Sequence, residues 1–377
     1  MIEAAWDAIS TAAAFFWKAG WALSFGYVIS SAIQVFVAPA EAARHLGGRR
    51  PRQLGLAMGL GFLSSSCSFA ALSATRSLFT KGASLPASLA FMFASTNLAI
   101  EVSVLSFIFL GWQYALALFA GAPVLVAVMA LSVALVRPKD LEKQARERAK
   151  EAEGHETDPS HGLPEGMADR LRSAPAWSRV AETFVGEWRM VWKELLVGFL
   201  VAGAIASAVP RSWFEAIFPS GLPAFLLVPL QALLAPVLAV MTFIGSMGNG
   251  PLAAILADNG VVFGAIMTFL YADFVVPPAI KINATYYGRR FAFYLAGVFA
   301  VSAVVAGVVI HAVFALVGLL PAGAKSVEQL ATFRVDYTLV LNAVAATIAL
   351  VLWAVARRAR AGREAHDDGD LTSNAAR

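Results

Sequence analysis

The sequence predicts an all-α polytopic membrane protein with two inverted repeats, each holding a broken or re-entrant hairpin, plus a C-terminal span. Three observations predict it. The 377-residue chain is 59% hydrophobic and only 14% charged, with a mean hydropathy of +0.68, whereas soluble domains carry about 25% charged residues. Apolar runs recur at 13–37, 53–79, 85–110, 112–136, 191–209, 222–245, 261–283, 291–319 and 335–356, and most reach the ~20 apolar residues a helical span needs. One of these runs holds a knot of small and polar residues, "SSSCS" at 64–68, and a second knot, "GSMGNGP" at 245–251, closes the run 222–245. A transmembrane barrel would show ~10-residue alternating segments instead, and the chain shows none.

The first element, 13–37, follows an acidic start, "MIEAAWDAIS", with no small-residue cleavage site after an apolar core, so it reads as a retained span rather than a signal peptide. Lys and Arg beside spans report the cytoplasmic side. Four basic groups stand out: 44–52, 137–150, 288–290 and 357–363. Three crossings between the first two groups would put them on opposite sides. The run 53–79 is therefore expected to enter and return on one side, with its tip at 64–68 and with Arg76 and Lys81 on the basic side. Irregular backbone at that depth is tolerated only where protein or a water-filled cavity covers it. With a second such hairpin around 245–251, every basic group falls inside and the halves run in opposite senses. This is a recurrent secondary-transporter plan with a midplane binding site.

The predicted organisation is a first membrane repeat over 1–138, a cytoplasmic hydrophilic loop over 139–178, a second repeat over 179–320, a further span over 321–356 and a disordered tail over 357–377. The loop is expected to begin as a solvated helix and end as a linker; its His155 and His161 are too few to make a metal site. A repeat is visible in the residues. "KGASLPASLAFMFAS" (81–95) aligns with "NGVVFGAIMTFLYAD" (259–273), pairing Gly82 with Gly260. "SCSFAALSA" (66–74) faces "MGNGPLAAI" (247–255), and "LGWQYALALFAG" (110–121) faces "YGRRFAFYLAG" (287–297).

Ionisable groups inside a membrane are functional candidates by default. Glu101 and Asp273 are the proton-coupling candidates, expected to meet near mid-membrane. Asn97 and Glu101 are expected one helical turn apart on one face. Pro277 and Pro278 after Asp273 should disturb their helix, and Lys281 can snorkel. The bland alternative is that each carboxyl only fixes packing. Ser66, Cys67, Ser68, Asn97 and Asn249 are the substrate-contacting candidates. Hydroxyls at a hairpin tip bond local backbone or replace water around a polar solute, an amide offers donor and acceptor together, and a lone thiol suits soft metals and metalloids. The alternative is that small residues there simply let helices approach. Gly248 and Pro251 are expected to shape the second tip, Gly through unusual dihedrals and Pro in the first turn of a helix. Ser95 and Thr96 extend the polar break at Asn97; Ser31 and Gln34 read as a helix–helix contact, His311 as a satisfied interfacial histidine and Met247 as packing.

The stretch 64–113, "SSSCSFAALSATRSLFTKGASLPASLAFMFASTNLAIEVSVLSFIFLGWQ", resembles the predicted-permease family that includes the ArsP-type organoarsenical permeases. In that family a Cys- and Ser-containing break precedes a "KGA" turn and a helix with a polar stretch and an acid. The stretch 245–282, with "GNGPLA" and "AD", looks like the family's second repeat. The resemblance implies a multi-pass permease of the bacterial cytoplasmic (inner) membrane acting in efflux, linked in characterised relatives to trivalent organoarsenicals, whose arsenic prefers thiols. It puts weight on Cys67, Asn97, Glu101, Gly248, Asn249, Pro251 and Asp273. Many relatives carry a "C-x-C" pair followed by Pro; here Ser65 and Ala71 hold those positions.

The leading reading is thus a secondary, proton-coupled efflux permease for a small soft solute such as a trivalent organoarsenical, not an enzyme. The alternatives are a permease for another small sulfur or metal species, or an intramembrane lipid-phosphate hydrolase, which would want an Arg or His at the tips to hold phosphate charge. No "GxxxxGK[ST]" occurs. No cofactor, metal or nucleic-acid partner is expected; the partners are the lipid bilayer, a small-molecule substrate and protons, with homo-oligomerisation left open.

Overall fold

The computed structural model describes residues 2–36, 46, 51–64, 68–136, 139–151, 167–243, 245–246, 248–323, 326–330 and 337–375. In chain order the first half holds α1 (Ile2–Phe36), α2 (Pro51–Ser64), α3 (Ser68–Thr80), α4 (Leu85–Asn97), α5 (Ile100–Phe109) and α6 (Trp112–Val136). Two helices follow in the hydrophilic segment, α7 (Lys139–Glu151) and α8 (Met167–Arg172). The second half holds α9 (Ala174–Ala208), the short α10 (Arg211–Ile217), α11 (Ala224–Thr242), α12 (Asn249–Asp258), α13 (Phe263–Tyr271), α14 (Pro277–Tyr287) and α15 (Arg289–Leu316). The chain closes with α16 (Val327–Leu330) and α17 (Tyr337–Ala375). Among the described residues six helices are long and apolar enough to cross a membrane, and α4 with α5, bent by 43° at their break, are so only when taken together, as a broken span or a re-entrant loop. The protein is an all-helical polytopic membrane protein, as its composition predicts.

The succession of elements recurs between the halves, and turn chemistry explains why. Each half has a helix broken at a tip, a glycine turn, a helix that stops and restarts, a second glycine turn and a long span. Gly82 and Gly260 close the first turns at φ 104 and 82, and Gly111 and Gly288 the second at φ 115 and 89. These left-handed values are open to Gly at no steric cost. In both first turns an N–H reaches back over five residues, Ala83 to Leu78 O at 3.0 Å and Val261 to Leu256 O at 3.0 Å, the bond that closes a Schellman motif. The next helices start from extended residues of nearly equal geometry, Ser84 (φ −68, ψ 151) and Val262 (φ −67, ψ 147). Contacts pair like with like: α1 on α9, α6 on α15, and reciprocally α3 on α14 and α12 on α5.

Both hairpins return to the end they leave from. In the first, Ser84 N–H donates to Leu46 O at 3.1 Å, so the chain before α2 meets the chain after α3. The helix α7 covers that turn. Arg146 donates to Phe79 O and, at 3.1 Å, to Ala83 O, with its guanidinium over the Phe79 ring, and Arg148 lies against Gly288. The basic segments around 46, 81, 139–151 and 288 therefore share one end, called here the basic end. In the second hairpin the buried Gln231 of α11 donates to Pro219 O at 3.0 Å and accepts from Val262 N at 2.8 Å. That turn lies at the other end, where Val327 N donates to Asp258 Oδ2 at 3.1 Å and Lys18 to Gln329 O. Single cysteines at position 82 and at position 260, in a Cys67→Ser background, are expected to label from opposite sides of sealed vesicles. Labelling from one side would overturn this arrangement.

Three expectations need correction. The loop helix α7 is not merely solvated: Ala145 and Ala149 are fully buried because the hairpin turn and α14 pack on them. The helix that carries the span expected at 191–209 begins far earlier, at Ala174, because buried Ala176, Val180, Ala181 and Phe184 keep one apolar face on an otherwise charged stretch. Glu187 and Gln34 bond at 3.0 Å across that face, which makes Gln34 the helix–helix contact anticipated. The segment after 356, expected to be disordered, continues α17 to Ala375, with four Ala and four Arg among its residues to favour the helix.

Candidate functional site

The two hairpin tips meet. Ser68, the first residue of α3, and Ser246, in the turn before α12, are both buried and their hydroxyls lie 2.8 Å apart. Ser66, Cys67 and Met247 lie outside the described residues, as do His155 and His161. At the second tip Asn249 opens α12 and its side-chain Nδ2 donates to Asp273 Oδ1 at 2.6 Å. Both residues are almost wholly buried, and the other oxygen of each, Asn249 Oδ1 and Asp273 Oδ2, has no partner among the described residues.

Asp273 is not in a helix. It lies in the break at 272–276 between α13 and α14, because Pro277 and Pro278 at the start of α14 cannot continue the preceding helix. The equivalent break in the first half, at Leu98 and Ala99, separates Asn97 from Glu101. These two were expected one turn apart on one helix; instead Asn97 ends α4 and Glu101 lies in the first turn of α5. Thr96 Oγ1 bonds Met92 O at 3.0 Å and Ser95 Oγ bonds the same carbonyl at 3.2 Å. Such back-bonding competes with the helix ladder, and the helix ends one residue on. Both breaks restart from an extended residue, Ala99 (φ −54, ψ 137) and Val276 (φ −66, ψ 145). Phe93 and Phe274 beside them lie 6.0 Å apart, each against Phe299 of α15. The two interruptions are thereby held next to each other.

Asn97 is 1% exposed, and neither its Nδ2 nor its Oδ1 has a partner among the described residues. A buried amide with no bonds costs several kcal/mol relative to a satisfied one (about 1–3 per group) and calls for an explanation. Glu101 is equally buried and lies against α1, where a Cβ at Gly26 would overlap its side chain. Asp273 and Glu101 thus keep different neighbours: Asn249 for the first, Gly26 for the second.

Gly248 does not supply an unusual dihedral: its φ of −86 is open to any residue. The left-handed residue near this tip is Phe243 (φ 54), and the glycine that matters sterically is Gly245, where a Cβ would overlap the Glu194 carboxylate. Pro251 falls in the first turn of α12, where its missing N–H costs nothing. His311 has a partner, accepting at Nδ1 from Gly264 N at 3.1 Å.

Sequence reasoning missed Glu194. It stands on α9, half-buried against the second tip and within electrostatic reach of Asp273. The signal was present: Glu187 and Glu194 are seven residues apart, two turns on one face, while Arg189 and Lys193 take the other. The charged stretch depressed local hydropathy and hid the start of the helix.

Broken helices that meet at their tips, with buried polar groups left unpartnered there, are the plan of membrane transporters. The comparisons with known proteins agree. The family model described as predicted permease (ArsP_1) matches residues 5–312, and the chain belongs to that family. "Putative permease Rv2963" of Mycobacterium tuberculosis is 38% identical over 313 residues, covering 81% of this chain and 77% of its own. No solved structure matches the chain.

Proposed function

We propose that this permease is a secondary, proton-coupled exporter of a small soft solute, of the trivalent organoarsenical class, working by alternating access between two inverted halves. The observation that carries the reading is the tip-to-tip contact Ser68–Ser246 beside the unpartnered polar atoms of Asn97, Asn249 and Asp273. Short hydroxyls and amides can replace a solute's hydration shell and reform their own bonds when it leaves. Inverted halves are supported by the two hairpins, which close at opposite ends of the bundle. In such a plan one half rocks against the other around a fixed midplane site.

Each side chain then has a role. Asn97 and Asn249 orient the solute from the first break and the second tip. Asp273, held by Asn249, exchanges a proton with the pathway, and Glu194 links it to the accessible side of α9. Glu101 is the second coupling acid, set against α1. Cys67, by its place in the sequence between Ser64 and Ser68, supplies one sulfur ligand.

The test is uptake of a trivalent methylated arsenical into everted vesicles, with and without an imposed proton gradient. Gradient-dependent accumulation in the wild type, lost in Glu101→Gln and weakened in Cys67→Ser, is the expected result. A folded wild type that accumulates none would overturn the arsenical assignment. Accumulation indifferent to the gradient would overturn proton coupling.

A further inference from the structure

We propose that the groove between α9 and α17 is a binding site for one anionic phospholipid on the membrane leaflet at the basic end. This site is independent of the transport pathway. The groove has a volume of about 540 Å³ and is lined by Phe184, Trp188, Arg189, Trp192, Leu350 and Trp353, among others. That is within the ~300–1,000 Å³ range of small-molecule sites. Its rim carries three cations. Arg189 lines it directly, Lys193 Nζ lies 5.6 Å from the Trp192 ring centroid, and Arg357 Cζ lies 5.2 Å from that of Trp353.

Depth follows from helix geometry. A hydrocarbon core of ~30 Å takes ~20 helical residues at 1.5 Å each. Counting back from Ala208, where α9 ends away from the basic end, reaches the neighbourhood of Trp188 and Arg189. Counting forward from Tyr337, where α17 starts, reaches Arg357. Two helices of different length and opposite direction thus place their Arg and Trp side chains at the same boundary. Trp belongs at that boundary, with its ring in the apolar layer and its N–H toward headgroups. Arg binds a phosphate through paired N–H donors. Basic pockets between spans are the known geometry for anionic headgroups. The apolar lining below, Phe184 and Leu350, suits acyl chain.

Charge also selects lipid over a second copy of the chain. Of the acids on this part of α9, Glu187 bonds Gln34 of α1 and Glu194 meets the Gly245 tip, while Glu182 lies two turns before Arg189 and outside the groove's lining. A two-fold contact through this groove would bring three cations against the same three cations. Lipid phosphate relieves that charge.

The experiment is native mass spectrometry of the full chain released from neutral detergent, with phosphatidylglycerol or phosphatidylcholine of matched acyl chains. The wild type is expected to retain one phosphatidylglycerol in preference to phosphatidylcholine. Arg189→Gln combined with Arg357→Gln is expected to lower that retention on the order of thirtyfold, for two cations near the surface. Arg290→Gln, an exposed cation at the same end but outside the groove, is expected to leave it unchanged. Equal retention of the two lipids in the wild type would overturn the proposal, and that comparison needs no variant. So would an equal loss in Arg290→Gln. A chain dimer that dissociates in the double variant would assign the groove to a second copy and likewise overturn it.

Discussion

Replacing Asp273 by Asn is expected to leave the protein folded and to abolish gradient-driven transport. Asn has nearly the shape of Asp, and its amide oxygen can still accept the bond from Asn249 Nδ2, now 2.6 Å from Asp273 Oδ1. What disappears is a group that can lose and regain a proton. The hydrogen bond from Asn249 is kept and the side-chain volume hardly changes, so stability should move by no more than about 1 kcal/mol. The proposed proton coupling, by contrast, has no substitute at that position. Arsenical accumulation in vesicles should fall to the level of vesicles lacking the protein, while the thermal melting midpoint stays close to wild type. Asp258→Asn is the matched control. Its carboxylate accepts from Val327 N at the far end of the same half, so transport should persist. An Asp273→Asn protein that still accumulates the arsenical against a gradient would remove Asp273 from the coupling role.

The sequence made the glycine turns legible and the tip contact illegible, and the difference is physical. Gly82 and Gly260 are read from the sequence because a left-handed turn leaves a local mark: a residue without a Cβ between two apolar runs. The same holds for Pro277 and Pro278, which are expected to disturb their helix and stand where it breaks and α14 starts. The basic groups fix which turns share an end, because that is a property of net charge beside a span. The Ser68–Ser246 contact joins residues 178 apart, and nothing local to either serine encodes its partner. The break between Asn97 and Glu101 was half legible. The polar triplet at 95–97 marked it, but helical spacing was extended across it. Glu194 was hidden for a related reason: hydropathy averages around a helix, whereas its importance lies in one direction, toward Gly245.

The same directional argument predicts a large stability effect. Gly297 and Gly307 both lie within α15, ten residues apart, and a hydropathy profile treats them alike. Around Gly297 a new Cβ would meet nothing within 4 Å. At Gly307 it would overlap Thr268 Oγ1 and the Gly264 carbonyl oxygen, with Thr268 N at 3.0 Å. Two of those three atoms are backbone, so no rotamer change relieves the clash; α13 must move off α15. Gly264 is tight from its own side too, with Gly307 O 2.9 Å from its would-be Cβ. Close backbone approach through small residues is how helices associate where lipid offers no hydrophobic drive. Gly307→Val is therefore expected to destabilise the protein by about 3 kcal/mol or more, the upper range for overpacking. Gly297→Val should lie within about 0.5 kcal/mol of wild type. Detergent melting curves of the two variants check this directly. The consequence reaches the site, since α13 leads into the break that carries Asp273. A milder Gly307→Ala should therefore lose transport before it loses the fold. Equal melting of the two valine variants would mean that α13 and α15 are not in backbone contact, and the seating of Asp273 against Asn249 would need another support.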